Sequence, residues 1–383
     1  MSECPDFPNY GPGECVDNRF LIQKQIGQGG FGAVYFVTDK DQPDSPNYAL
    51  KTEIRSKSTN LKQEVYVLRL ANIHGCNHFC TFIGAGMTDY KGFPTNYLVM
   101  SLIGETLEAK KKKRFTLGCA LSVGMQCLTA IEELHSIGYL HRDLKPENFA
   151  VGKPDESRII IFDFGLCRQY LDDKGRIRLP RVAIGFRGTT RYASLSCHAR
   201  REMSRKCDIE TWFYQQVELS KGALPWRDVD GKKKDLVGMF KERCRYGIGL
   251  ELFLGGCPRQ YVEILRYVDR LGYYDTPDYN KIHNLLRMAM KTAWNFWQVT
   301  MNTLLIFCLL VAVALAAPYR RQYPPPTFPC EETDPNNCFY PQKHMPELED
   351  DEEIRRQHIM EFCYMSPIGI LDDPRCKDVI SDW

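Results

Sequence analysis

From Phe20 to about Lys51 apolar and polar positions alternate in short stretches broken by glycines, the period of two that strands impose. Asn60-Leu61-Lys62-Gln63 then reads as a capped helix start, with Leu61, Val65 and Leu68 on one face. From Leu117 to His135 the spacing is again helical. Arg158-Ile159-Ile160-Ile161-Phe162 is a nearly continuous apolar run, the mark of a buried strand. Beyond it a long basic loop gives way to helical periodicity up to about Lys291, and no internal repeat interrupts the pattern.

The ends depart from this pattern. Residues 1–14, rich in Pro, Gly and acidic side chains, read as an unstructured lead-in to a domain over 15–292. Val299–Ala317 is nearly free of polar groups, and Pro318–Pro329 is a proline-rich linker into an acidic tail that runs to residue 383. A membrane-spanning helix needs about 20 apolar residues, so the 299–317 segment is a marginal one. A secretory signal peptide beginning at Met301, with Ala314-Leu315-Ala316 as its cleavage site, fits the segment better, and a buried core helix is the third reading.

Composition sharpens the division. Hydrophobic residues at 44% and charged residues at 26% exclude a wholly disordered chain. The net charge of +2 conceals 14 acidic and 7 basic residues from Pro318 onward, which leaves 34 acidic and 43 basic before it. A basic body suggests an anionic partner. Eleven of the 16 cysteines lie before residue 300 without a C-x-x-C pair, as reduced intracellular thiols do, so a cytoplasmic body is expected. Cys330, Cys338, Cys363 and Cys376 form an even set in the tail, the pattern of a small secreted unit. The 299–317 segment is where membrane association would arise, and whether 301–383 shares a mature protein with the body stays open.

Four sets of residues carry chemistry. Ile26-Gly27-Gln28-Gly29-Gly30-Phe31-Gly32-Ala33-Val34 lies between two strands, and its glycines let backbone close over a polyphosphate. The same spacing serves dinucleotide-binding turns, but those run from strand into helix. Tyr48-Ala49-Leu50-Lys51 puts a lysine on the next strand, and Glu64 on the following helix is placed to pair with it. Taken alone, Lys51 would read as a solvated strand lysine; the set changes that. In His141-Arg142-Asp143-Leu144-Lys145-Pro146-Glu147-Asn148, Asp143 can accept the proton of a substrate hydroxyl, Lys145 can steady a phosphoryl group and Asn148 can hold a magnesium ion. Fifteen residues on, Asp163-Phe164-Gly165 offers a carboxylate to the same metal, a sparse set that suits Mg²⁺ bridging the phosphates of ATP.

Gly185-Phe186-Arg187-Gly188-Thr189-Thr190-Arg191-Tyr192-Ala193-Ser194 resembles the activation segment of the casein kinase 1 superfamily. His135-Ser136-Ile137-Gly138, Asn148-Phe149-Ala150, Pro180-Arg181, Leu224-Pro225-Trp226-Arg227 and Pro277-Asp278-Tyr279 are similar to its tau-tubulin kinase branch. The resemblance covers about Arg19–Lys291. It implies an α+β, bilobal kinase fold, with a small, mainly β N-lobe and a larger, mainly α C-lobe. ATP would lie between the lobes, with Met100 as gatekeeper, Ser101-Leu102-Ile103 as hinge and Ser/Thr as acceptor. It also implies that Thr189 bonds near Asp143 and Lys145. Where these kinases read Asp-Asp-Leu-Trp, this chain reads Cys207-Asp208-Ile209-Glu210, with Trp212 two residues further on. Asp208, the brace of the catalytic loop, is retained, so the packing beneath the substrate site is where this chain departs. Cys197 departs too, in place of a small residue. The alternative from another class is a kinase-shaped binding module without turnover; the retained catalytic set favours the enzyme.

Other features weigh less. Arg168–Lys206 carries eleven basic residues against three acidic ones. That is either ordinary solvated charge or a cradle for acidic or already phosphorylated protein substrates. Lys110–Arg114 reads as a solvated helix face, and with no groove-reading motif nucleic acid is not an expected partner. His74, Cys76, His78 and Cys80 alternate, but on a strand they would span roughly 20 Å. Zinc needs ligands at about 2.0–2.3 Å, so no zinc site is expected. No oligomeric state follows from these patterns.

Overall fold

The computed structural model of the chain describes residues 5–29, 32–55, 60–111, 115–182 and 184–294. Gly30 and Phe31 of the glycine-rich turn, residues 112–114, the 299–317 segment and the 318–383 tail lie outside the described residues.

Alternation in the first hundred residues folds as one antiparallel sheet. Its strands are β1 (Cys15–Val16), β2 (Phe20–Gly29), β3 (Gly32–Asp39), β4 (Tyr48–Ile54), β5 (Phe82–Tyr90) and β6 (Phe93–Ser101), in the order β1-β2-β3-β4-β6-β5. Phe20, Ile22, Tyr35, Val37, Leu50 and Val99 pack into the small core on this sheet. Helix α1 (Asn60–Ile73) interrupts the strands. It turns Leu61, Glu64, Val67, Leu68 and Ala71 inward, so Val67 rather than Val65 completes the buried face. Its start is held by Glu53 of β4, whose carboxylate accepts the Asn60 and Leu61 N–H groups at 3.1 and 2.5 Å. An acceptor there satisfies donors that a helix cannot pair internally.

The described part of the lead-in is not loose. Tyr10 is buried edge-on against Tyr35 and Tyr90, Tyr35 Oη donates to the Pro8 carbonyl at 2.6 Å, and Tyr90 Oη donates to that of Asn9 at 3.0 Å. Proline and glycine suggested a free tail; the aromatic contacts decide otherwise, because a ring buried between two tyrosines whose hydroxyls bond the segment's carbonyls outweighs weak local propensity.

The second half is helical: α2 (Leu107–Lys111), α3 (Leu117–Ser136), α4 (Leu195–His198), α5 (Arg205–Lys221), α6 (Lys234–Arg243), α7 (Gly247–Leu254), α8 (Gln260–Arg270) and a helix over 279–294. Thr116 caps α3 by accepting the Cys119 N–H. Among the described residues α3 is the one helix long and apolar enough to cross a membrane, yet half of it is buried, packed on α5 and on the short strand Ile159–Ile161. It is a core helix. Lys111, placed on a solvated face by its sequence, instead reaches Glu108 at 2.6 Å and the buried Glu218 at 3.2 Å. The architecture is the expected α+β one, with a strand-rich N-terminal lobe and a helical C-terminal one.

Candidate active site

Between α3 and α4 four short strands carry the site: β7 (Tyr139–Leu140), β8 (Phe149–Val151), β9 (Ile159–Ile161) and β10 (Arg168–Gln169). β8 and β9 form a hairpin with Phe149 opposite Ile161, which brings Asn148 and the 162–163 turn to the same end. Asp163 holds a left-handed backbone at φ 66°, ψ 71°. Its side chain meets Lys51 from β4 there.

Lys51 Nζ lies 2.6 Å from Glu64 Oε2 and 3.2 Å from Asp163 Oδ1. Burial alone would pull the lysine pKa down, but Glu64 and then Asp163 outweigh it and raise it. Burial pushes Glu64 up while Lys51 pulls it down. One ammonium between two carboxylates stays charged, and that is the state the distances describe. Burial likewise opposes Asp163, but Lys51 brings it below its ordinary value.

A second cluster surrounds Asp143. Its Oδ1 accepts the Thr189 N–H and hydroxyl, each at 2.8 Å, and its Oδ2 lies 3.1 Å from Lys145 Nζ. Lys145 also donates to Thr189 Oγ1 at 3.3 Å, and Asn148 Nδ2 donates to the Asp143 carbonyl at 2.8 Å. Asn148 Oδ1 and Asp163 Oδ2 have no hydrogen-bond or ion-pair partner among the described residues, which leaves two hard oxygens free. Two glycines shape the site. A Cβ on Gly32 would stand 1.9 Å from the Thr52 carbonyl oxygen, and one on Gly188 (φ +100°) 2.6 Å from that of Arg142. Both require glycine because real Cβ atoms do not come so close.

Asp208 on α5 holds the loop from below. It accepts the His141 N–H at 2.7 Å, the Arg142 N–H at 2.9 Å and His135 Nε2–H at 2.9 Å. Burial opposes its charge, but the His135 hydrogen bond brings its pKa below the ordinary value, and burial lowers that of His135. The imidazole is therefore neutral, and its Nδ1 accepts from Tyr279 Oη at 2.6 Å. Arg142 has a positive φ of 67° and donates to the Leu166 carbonyl at 2.8 Å; burial, then Arg168 and Arg187, bring its pKa down to about 10.

Beneath the segment after Thr189 lies a network that the sequence did not announce. Glu210 accepts the Leu195 N–H at 3.0 Å, Tyr214 Oη at 2.7 Å and Arg245 Nη2 at 2.9 Å. Lys241, fully buried, donates to the carbonyls of Thr190 (2.9 Å) and Ala193 (2.6 Å) and to His198 Nε2 (3.1 Å). Burial draws its pKa well down, yet three acceptors are the environment an ammonium with three N–H groups needs. The nearest signal in sequence was Glu210 itself, out of place for a tryptophan position. Trp212 does not take that position's part; it is buried and donates to the Gly124 carbonyl at 3.0 Å.

Of the other named positions, Met100 is buried at the end of β6, while Ile26 is exposed on β2. Leu102 and Ile103 are half-buried, and their backbone groups engage no other backbone among the described residues. Gly27, Gln28 and Gly29 end β2 opposite Val34, Ala33 and Gly32. His74–Cys80 is an irregular turn after α1. His74 Nδ1 and His78 Nδ1 face the carbonyls of Leu70 and Ile159, and no group of three His, Cys, Asp or Glu among the described residues could hold a metal.

This fold, with a lysine paired to a helix glutamate beneath a glycine-rich hairpin, defines the class of protein kinases. The family model described as protein kinase domain matches residues 20–246, and the chain belongs to the protein kinase family. Its relatives include the Caenorhabditis elegans serine/threonine-protein kinase spe-6, 34% identical over 279 residues, which are 71% of this chain and 72% of the relative. A Dictyostelium discoideum protein named as a probable serine/threonine-protein kinase is 33% identical over 309 residues, 77% of this chain. The chain spans 59% of that relative's length. A third, the Caenorhabditis elegans protein named putative serine/threonine-protein kinase K06H7.1, is 34% identical over 296 residues, 74% of this chain and 82% of its own length.

Proposed function

We propose that this chain transfers the γ-phosphoryl group of ATP to serine or threonine hydroxyls of proteins, as a member of the casein kinase 1 superfamily close to the tau-tubulin kinases. The observation that carries the reading is the convergence of two complete clusters, Lys51–Glu64–Asp163 and Asp143–Lys145–Thr189, at the junction of the lobes. Gly27, Gly29 and Gly32, where β2 ends and β3 begins, let backbone close over the phosphates. Lys51, oriented by Glu64, binds them. Backbone groups of the 101–103 hinge beyond Met100 take the adenine. Asp143 orients the acceptor hydroxyl and takes its proton, while Lys145 stabilises charge on the phosphoryl group in transfer.

The free oxygens of Asn148 and Asp163 fit a hard divalent cation that completes its shell with phosphate oxygens and water. A magnesium ion held there would neutralise charge on the phosphates. Acidic or phosphorylated substrates are favoured by the cations left over after internal pairing. Arg176 pairs with Asp172, Arg181 with Glu202 and Arg191 with Glu218, whereas the side chains of Lys174, Arg187, Arg200 and Arg201 have no hydrogen-bond or ion-pair partner among the described residues.

Replacing Asp143 by Asn tests the reading. Phosphate transfer to a generic acidic protein should fall by at least about a hundredfold, while ATP binding stays within about threefold, because Asp143 does not hold the nucleotide. Wild-type protein that binds ATP but shows no more transfer than Asp143→Asn would instead mark a kinase-shaped binding module.

A further inference from the structure

We infer that Glu53 is a positioning residue for the nucleotide: its carboxylate fixes helix α1 so that Glu64 meets Lys51 of the same strand. Lys51 and Glu53 are two residues apart on β4, so their side chains leave one face of the sheet about 6.5 Å apart. Asn60 and Glu64 are four residues apart on α1, about 6 Å along one face of the helix. The two spacings match. Glu53 accepts the Asn60 and Leu61 N–H groups at 3.1 and 2.5 Å, and Lys51 Nζ lies 2.6 Å from Glu64 Oε2. Strand and helix are therefore clamped at two points, one at each end of a single helical turn.

Three observations make the Glu53 end of the clamp decisive. Glu53 is 3% exposed, and a carboxylate that deep persists only where donors hold it. The first turn of α1 contains no acidic residue but does contain Lys62, so the helix brings no anion of its own to its positive end. The same start abuts the turn that carries Asp163, since a Cβ on Gly165 would stand 3.2 Å from the Asn60 Cβ. A slip of α1 by one residue turns it by about 100°. That takes Glu64 off Lys51 and disturbs the packing of Asn60 on Gly165.

Charge alone does not explain the arrangement. Burial is the main cause that raises the Glu64 pKa, and the nearby Glu53 charge raises it further. Through space, then, Glu53 works against the ionised Glu64 that Lys51 needs. Through the helix backbone it works for the pair, because it sets where Glu64 stands. The two routes give opposite signs when the Glu53 charge is removed. The clamp itself is independent of the reaction; that Lys51 then meets the phosphates of ATP rests on the kinase reading.

The test is a double-mutant cycle on the full chain, read as kcat/KM for ATP with a generic acidic protein as acceptor. Binding of a fluorescent ATP analogue with Mg²⁺ is the second readout. Glu53→Gln keeps the size of the side chain and removes its charge and one acceptor. It should lower both kcat/KM and analogue affinity about tenfold. In a Glu64→Gln background the same change should lower them less than about twofold, because the pair it positions is already gone. Equal losses in the two backgrounds overturn the clamp, and so does a gain in Glu53→Gln, the sign of repulsion through space. Glu53→Asp keeps the charge but draws it back by one methylene, and should lower kcat/KM at least about threefold. Wild-type activity there would show that any anion at the helix start suffices, and would overturn the clamp. Thr116→Ala removes the cap of α3 away from the site, and should lower the urea midpoint while kcat/KM stays within about twofold. If it loses as much activity as Glu53→Gln, general destabilisation accounts for both and the clamp falls. If wild type transfers no phosphate while analogue binding shows the coupling between Glu53 and Glu64, the kinase reading fails and the clamp stands. If wild type transfers phosphate and Glu53→Gln transfers it equally well, the clamp is wrong and the kinase reading stands.

Discussion

Asp208 and Glu210 sit two residues apart on α5, each 2% exposed, and each grips a different part of the site. At about 100° per residue they point to nearly opposite sides of the helix. Asp208 reaches the catalytic loop and is solvated by neutral donors alone, two backbone N–H groups and the His135 imidazole. Glu210 reaches the segment that follows Thr189 and is compensated by a full charge on Arg245. The contrast teaches how replaceable each is. A carboxylate that serves donors at both of its oxygens has no neutral isostere that accepts at both, whereas a buried ion pair can be exchanged as a unit for apolar side chains with little loss.

The largest effect is expected on the Asp208 side. Asp208→Ala leaves the His141 and Arg142 N–H groups and His135 without their acceptor, at a cost of about 3–5 kcal/mol. Urea unfolding and a transfer assay should show both stability and activity collapsing. A variant that keeps wild-type activity would mean that the loop needs no brace from α5.

Glu210 is expected to behave differently. Glu210→Gln strands much of the Arg245 charge, with Asp269 at 3.3 Å as its remaining partner, and should cost about 2–3 kcal/mol. Glu210→Leu combined with Arg245→Met should recover at least half of the loss, a coupling that a double-mutant cycle measures. Additive losses would remove the distinction drawn between the two carboxylates.

These differences track what was legible in the chain. The strands, α3 and the residues around Lys51, Asp143 and Asp163 stand in contiguous runs whose period or motif can be read directly. Arg245, Lys241 and the Tyr279–His135 bond cannot be read that way. Each joins positions far apart in the chain, 144 residues in the last case, and each owes its importance to burial. Residues 5–14 misled for a related reason, since Tyr10 carries no sign of its distant partners Tyr35 and Tyr90. Glu53 was silent too, because a helix cap supplied from another strand leaves no local signature beside Asn60.

Acid should strain the Glu210 side through His198. Burial, then Lys241, pushes its pKa from 6.5 down to about 4. The unfolded chain therefore takes up this proton below about pH 6.5 while the folded chain resists until about 4, so stability is full above that window and falls as pH drops through it. The imidazole is partly exposed, so solvent screening leaves about 1–2 kcal/mol. His198→Gln keeps an acceptor for Lys241 and should flatten the decline between pH 6.5 and 5, measured by urea midpoints. An unchanged slope would assign the acid loss elsewhere.

The smallest effect tests whether the Asp208 side depends on neutrality. Tyr279 Oη donates to His135 Nδ1, which keeps the imidazole proton on Nε2, where it meets Asp208. Tyr279→Phe preserves the ring packing and removes only that donor. His135 can then move its proton to Nδ1 and lose the bond to Asp208, or bind a second proton and become a cation beside it. The first outcome leaves Asp208 with two donors in place of three. The second turns the neutral arrangement into an ion pair like that of Glu210 and Arg245. Either should cost about 1 kcal/mol, a fall of roughly 2–4 °C in Tm for a domain of this size. The ¹⁵N shifts of His135 in the variant distinguish them. A ring still protonated only at Nε2, with unchanged Tm, would show that Asp208 alone selects the tautomer and that Tyr279 plays no part in holding the catalytic loop.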